Sequence, residues 1–182
     1  MSTLRVDNIT GRLDDTTINQ PITFSANTAT LNSGVVFPAG HIIQIVSQLY
    51  TSAVTVSSSS YQDAGPSLAI TPSSTSNKIL VWTNLDIGPI YSTGVDGRVK
   101  GKLVRTVGGS ATDILEQTHW GFYLNAGGND NNIYFRQDFM MVDSPNTTSE
   151  TTYKFQARTS GANHISFQNG TGSSLVLMEI KG

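Results

Sequence analysis

The chain has 182 residues and a mass of 19.5 kDa; 13% of it is charged, with a formal net charge of −2 and a pI near 5.8. Such a balance supplies no clustered Lys/Arg footprint for nucleic acid or anionic lipid, so neither nucleic acid nor a membrane is expected as a partner. With no cysteine, disulfides, thiolate catalysis and Cys-based metal sites are excluded, and the length allows one domain plus an appendage.

The first thirty-seven residues carry isolated apolar side chains among Thr, Asn, Ser and Asp: Leu4, Val6, Ile9, Leu13, Ile18, Ile22, Phe24, Leu31, Val36 and Phe37. Segments below about 40 residues rarely fold unaided. Apolar side chains this sparse cannot offset roughly 1–2 kcal/mol of backbone entropy per residue. These residues are therefore read as an assembly interface on an extended arm, ordered by sharing a core with copies of itself or with a larger particle. The opening Met-Ser-Thr-Leu-Arg-Val-Asp lacks the basic and apolar regions of a secretory leader, and no stretch approaches the ~20 apolar residues of a bilayer span. Synthesis in a cytoplasm is expected.

Pro38-Ala39-Gly40 punctuates the chain before its first dense apolar run, His41 to Val46, and sets the boundary between an arm, 1–39, and a β domain, 40–182. Strands are expected next at Gln48 to Val56 and Ser67 to Ile70, separated from their neighbours by Ser57 to Ser60 and Thr71 to Asn77. Both of these loops have the Ser-rich composition of mobile, solvated connections. From Lys78 to Ile87 the period of two is clearest, with Ile79, Val81, Thr83, Leu85 and Ile87 on one face.

Asp96-Gly97 is a hairpin signal before a strand from Arg98 to Val107, which places Val99, Leu103 and Val107 on one face and Arg98, Lys100 and Lys102 on the other. Gly108-Gly109 reverses the chain into Asp113 to Leu124. Ser110 to Asp113 also fits a helix capping box, which allows one helical turn there. Further strands are expected at Ile133 to Val142, Thr152 to Arg158, His164 to Gln168 and, after the Asn169-Gly170 turn, Ser174 to Ile180. Leu175-Val176-Leu177-Met178 is apolar on both faces, as in a central, doubly covered strand. About eight to ten short strands imply an all-β protein, an antiparallel β-sandwich or jelly roll, preceded by the arm.

Catalytic signals are weak. The elbow Gly-x-Ser-x-Gly is absent, and His41, His119 and His164 lie far apart without metal-ligand spacing. No catalytic residue, cofactor or metal is assigned, and the protein is expected not to be an enzyme. Glu116, Glu150 and Glu179 each fit a solvated strand face or loop, although two acids from distant strands would suffice for glycoside hydrolysis. The oxygen-rich stretch Gly127 to Asn132 is able to surround Ca²⁺ but lacks the spaced acids of an EF-hand; an ordinary turn is the simpler reading.

Arg98, Lys100 and Lys102 stand about 7 Å apart, with a repulsion of roughly 0.6 kcal/mol per neighbouring pair in water. Asp113 and Glu116 on the next strand are the expected counter-charges; an anionic glycan is the sharper alternative. The aromatic group around Trp120 reads first as core. Tyr91 and Trp120 are the candidate receptor contacts, through stacking on the sugar rings of a host surface glycan.

Met1 to Thr10, Phe37 to Val46 and Leu68 to Val81 together resemble virion proteins of tailed bacteriophages of the marine and freshwater type, tail-fibre-like or capsid-decoration-like. The resemblance covers the arm and the first half of the domain. It implies a homotrimeric β protein in the virion, made in the host bacterial cytoplasm and docked to other phage virion proteins through its N-terminal segment. A tail fibre component displaying the β domain is the leading expectation. A capsid decoration or cement protein clamping the head is the alternative, and a glycan-binding module or weak glycan hydrolase is the alternative from a different class.

Overall fold

The computed structural model describes residues 22–25, 28–31, 37–91, 97–124, 133–160, 164–168 and 170–182; for 22–25, 28–31, 89–91, 97–99, 117–124, 133 and 160 it describes the backbone alone. The chain divides into two compact units, Met1–Pro38 and Ala39–Gly182. In the first, β1 (Ile22–Ser25) and β2 (Thr28–Leu31) pair antiparallel, with Ile22 opposite Leu31 and Phe24 opposite Ala29. The expected extended course is thus folded back between Ser25 and Thr28, because Ile-Thr-Phe-Ser and Thr-Ala-Thr-Leu are both rich in strand-forming residues.

The second unit holds ten strands among the described residues: β3 (Ile42–Tyr50), β4 (Val54–Val56), β5 (Gln62–Ile70), β6 (Lys78–Tyr91), β7 (Gly97–Val107), β8 (Ser110–Leu124), β9 (Ile133–Asp143), β10 (Thr151–Ser160), β11 (His164–Phe167) and β12 (Ser173–Ile180). One sheet runs β5-β10-β7-β8. In the other, β12 and β11 lie in turn along one edge of β6, β9 takes the opposite edge, and β3 and β4 pair with β12 and β11. β3/β4 and β11/β12 therefore each act as one interrupted strand. Counted so, the sheets read 1-8-3-6 and 2-7-4-5 in chain order, which is the jelly-roll arrangement of an antiparallel sandwich.

Alternation decides what lies between the sheets. Ile79, Val81, Thr83, Leu85 and Ile87 all point inward and are buried, as their spacing predicts, and Leu175 and Leu177 of β12 join them. Phe155 of the facing sheet lies 5.7 Å from Phe167 edge-on and 6.2 Å from Phe139 in a stacked arrangement, geometries aromatic rings favour. At one end the sheets are clamped by polar groups: Arg105 Nη1 donates to both carboxylate oxygens of Asp143 at 2.9 Å, and the Tyr153 hydroxyl donates to Asp143 Oδ2 at 2.8 Å. Burial and the neighbouring carboxylate push the Tyr153 phenol well above its usual range.

Several expectations change. The apolar run from His41 and the segment from Gln48 are one strand as far as Tyr50, with Val54–Val56 separate, because β3 follows β12 in unbroken register from Gln44 to Tyr50. Ser110 to Asp113 is strand, not helical turn, since it closes the β7–β8 hairpin at the Val107–Ser110 pair. Glu179 is fully buried and inward rather than solvated. β12 is central, between β3 and β6, but not doubly covered: Val176 and Met178 on its outer side are only half-buried.

The Ser-rich loops are pinned as well. Thr159 N donates to Ser58 O at 2.8 Å, while Asn77 and Pro72 are buried. The joint between β11 and β12 is fixed by Asp86, whose Oδ2 accepts from Gly170 N at 2.9 Å and Gly172 N at 3.2 Å. Gly172 has φ +90°, and a Cβ there would stand 2.7 Å from the carbonyl oxygen of Tyr50, so no larger residue fits without strain.

Candidate functional site

The sandwich presents two outer faces of opposite character. On the sheet containing β12 the outward positions align across strands in rows: Ile45, Met178, Leu80 and Val142; then Ser47, Val176, Trp82 and Met140. Ile42 and Ile180 extend the surface at one end beside Lys78, and Leu49 extends it at the other beside Ser174, Asn84 and Asp138. Met140 is 71% exposed, Leu49 60%, Ile45 55% and Trp82 46%. With Ile42 and Val142, six large apolar side chains on this one face are at least 45% exposed, and a contiguous exposed apolar surface marks an interaction site on an ordinary protein. No charged residue interrupts the two central rows.

This surface was missed by the sequence reading. Its signal was present in two places, Leu175 to Met178 and Met140-Met141-Val142, where apolar residues occupy consecutive positions and so must face both ways. Beyond Trp82 the surface becomes polar: Asn84 Nδ2 donates to Asp138 Oδ1 at 2.6 Å, and Arg136 donates to Asn84 and Thr171.

The outer face of the other sheet is laced with charge. Lys102 Nζ lies 2.8 Å from Asp113 Oδ1, and Lys154 Nζ lies 2.9 Å from Asp63 Oδ1. Tyr61 sits between two cations, 4.5 Å from Lys102 Nζ and 4.9 Å from Arg158 Cζ to the ring centroid, and its hydroxyl donates to Glu116 Oε1 at 2.7 Å. Burial, reinforced by the bond to Glu116, pushes the Tyr61 phenol up. Asp113, which the register places opposite Val104, is thus the counter-charge of Lys102, while Glu116, the direct cross-strand neighbour of Lys102, holds Tyr61 instead. Burial raises the Asp63 carboxyl, but hydrogen bonds from Gln156 and the Lys154 ammonium outweigh it and leave the group below its usual range.

One interior group supports the apolar face from behind. Glu179, on the inner side of β12, accepts from Ser73 N and Ser73 Oγ at 2.7 Å and from Asn77 Nδ2 at 2.6 Å through Oε1, and from Gln44 Nε2 at 2.6 Å through Oε2. Burial pushes this carboxyl up, but the four donors outweigh that and hold it below the ordinary glutamate range. The Thr71–Asn77 loop, β3 and β12 are thereby tied at one point.

Of the arm residues chosen from the sequence, Ile22, Phe24 and Leu31 lie in the β1–β2 hairpin and Phe37 is half-buried, while Leu4, Val6, Ile9, Leu13, Ile18 and Val36 lie outside the described residues. Tyr91 ends β6 opposite His164, and Trp120 pairs with Val99 near the end of β8. Both therefore belong to the end of the sandwich remote from Gly40 and Lys181. The 127–132 loop also lies outside the described residues.

Among the described residues no group of three or more His, Asp or Glu is placed to hold a metal ion, and no helix is long and apolar enough to cross a membrane. The cavity lined by Thr83, Gly101, Leu103, Leu115, Phe139 and Phe155 has a volume of about 10 Å³, against about 300–1,000 Å³ for small-molecule sites.

No family model matches the chain, and no curated protein does. Among solved structures, it is similar to Eiger TNF from S. frugiperda, with 12% identity and a TM-score of 0.42 over 76% of this chain and 92% of that one. It is also similar to a structure of infectious bursal disease virus, Gx strain, at 9% identity and TM-score 0.34 over 87% of this chain and 41% of that one. A mutant VP2 protein of infectious bursal disease virus, from T=1 particles, gives 9% identity and TM-score 0.33 over 88% and 40%. The chain spans about two fifths of the length of those viral proteins. At these values the likeness carries no functional assignment.

Proposed function

We propose that the chain is a non-enzymatic structural protein of a virus particle: a homotrimeric tail fibre component of a tailed bacteriophage, docked through residues 1–39 and displaying its jelly roll. The observation that carries this reading is the outer sheet face on which Ile42, Ile45, Leu49, Trp82, Met140 and Val142 stand exposed together, a contiguous apolar surface of the kind that marks an interaction site. Such a surface is characteristic of a protein that works in an assembly. The sequence likeness of the arm and the Phe37 to Val46 junction to phage virion proteins supplies the particle. A host surface glycan is the expected target of the displayed end.

Labelling intact particles with antibody against the β domain, and imaging them by electron microscopy, tests the reading. Label on tail appendages is expected. Label over the head shell replaces fibre by capsid decoration, and particles without label overturn the proposal. Deleting residues 1–38 should remove the protein from particles.

A further inference from the structure

On the charged face one row of side chains holds two cations and no carboxylate. Lys100 of β7 stands directly opposite Arg158 of β10, and the Tyr61 ring lies on the other side of Arg158, its centroid 4.9 Å from Cζ. Side chains directly opposite in an antiparallel pair have Cβ atoms about 4.5–5.5 Å apart, and like charges placed so repel. The neighbouring cations are answered by acids, Lys102 by Asp113 and Lys154 by Asp63. Among the described residues neither Lys100 nor Arg158 forms an ion pair. Arg158 donates through Nη1 to the Ser59 carbonyl at 3.3 Å, and its Nε is buried without an acceptor.

We propose that this row, Lys100 and Arg158 with Tyr61 positioning the guanidinium, binds one carboxylate of an acidic saccharide. This rests on the reading of a displayed jelly roll that meets a host surface glycan, and it names the chemical class of that glycan and the place where it binds.

The surroundings select the ligand. A carboxylate lying between Lys100 and Arg158 replaces their mutual repulsion by charge-assisted hydrogen bonds, and the planar guanidinium matches its two oxygens. The gap is only one row wide, because Asp63, Gln156, Lys102 and Glu116 lie side by side in the next row. A nucleic acid or an acidic run of peptide carries closely spaced negative charges, which Asp63 and Glu116 repel. A single acid on an otherwise neutral, hydroxyl-bearing chain escapes that repulsion. Ser59 and Ser60 are exposed on the loop that Arg158 holds and offer hydroxyls to the rest of such a chain. The row also lies toward the end remote from Gly40 and Lys181, since Val99, next to Lys100, pairs with Trp120.

The test is isothermal titration calorimetry on the full-length chain with sialyllactose and with glucuronyl-glucose, each bearing one carboxylate, against lactose as the uncharged sugar and acetate as the bare anion. At least one acidic sugar should bind roughly tenfold or more tighter than both lactose and acetate, and more weakly as salt is raised. Lys100→Ala, and Arg158→Lys, which keeps the charge but loses the fork, should each weaken binding roughly tenfold or more. Lys154→Ala, on the same face but paired with Asp63, should leave binding unchanged; circular dichroism and thermal melts establish that each variant is folded. Failure of both acidic sugars to bind, acetate binding as tightly as they do, or Lys154→Ala weakening binding as much as Lys100→Ala overturns this inference and leaves the virion reading standing. Particles without label overturn the virion reading, and the titration then still decides whether the row takes a carboxylated sugar.

Discussion

The outer faces of the two sheets are built on the same alternation and carry opposite chemistry. β6, β9 and β12 place Leu80, Trp82, Met140, Val142, Val176 and Met178 on the side away from the core, whereas β7 and β10 place Lys100, Lys102, Lys154, Gln156 and Arg158 there. The charged face satisfies itself in water through ion pairs with Asp63 and Asp113 and through cation–π contacts on Tyr61. The two central rows of the apolar face hold only Ser47 besides apolar residues, so no ion pair forms within them. One sandwich can thus be charged on one side and apolar on the other, and the difference lies only in the positions that the core does not use.

The most severe way to break this contrast is from behind. Glu179→Ala leaves the donors of Ser73, Asn77 and Gln44 without their acceptor and should lower stability by about 3–5 kcal/mol in urea unfolding. Amides of β3 and β12, which carry the apolar face, should lose hydrogen-exchange protection before those of β7 and β10. Gly172→Ala, which forces a Cβ toward the Tyr50 carbonyl at φ +90°, should cost about 2 kcal/mol in thermal or urea unfolding and loosen the same edge.

Acid sharpens the contrast further. The Glu179 carboxyl titrates lower folded than unfolded, so its stabilisation is complete above the ordinary glutamate value of 4.5 and is lost as pH falls through the lower folded-state value. Stability should therefore drop below about pH 4.5, and Glu179→Gln should flatten that part of the pH profile. Asp63 shifts in the same direction, but its side chain is 63% exposed, so Asp63→Asn should alter the profile much less. The smallest effect belongs to the charged face: Lys102→Ala, losing a partner for the half-exposed Asp113, should cost about 0.5 kcal/mol and less in high salt.

Local patterns in the sequence identified the inward face of β6, the central place of β12 and, of the two carboxylates offered to the basic face, Asp113 as one that meets it, because each depends on residues close in the chain or on a simple period. The burial of Glu179 was not legible, since its donors come from Ser73, Asn77 and Gln44, which lie 106, 102 and 135 residues away. The pairing of β3 with β12 is equally non-local. The apolar face was half legible: Met140-Met141-Val142 and Leu175 to Met178 announce two apolar sides, but only the three-dimensional order of β3, β12, β6 and β9 shows that they merge into one surface. Period alone does not tell a strand covered by its own chain from one waiting for another.

Gly40 N donates to Lys181 O and Lys181 N to His41 O, both at 2.8 Å, so the jelly roll begins and finishes side by side at a single pole. The far ends of the strands, where Tyr91 and Trp120 sit, are about 45 Å away along the fourteen residues of β6. A fluorescent domain fused after Gly182 is expected to emerge beside Gly40, at the pole of the jelly roll remote from the Tyr91 end of β6. Within the jelly roll, positions 40 and 181 mark one pole, and a label at either reports on the same end of the strands.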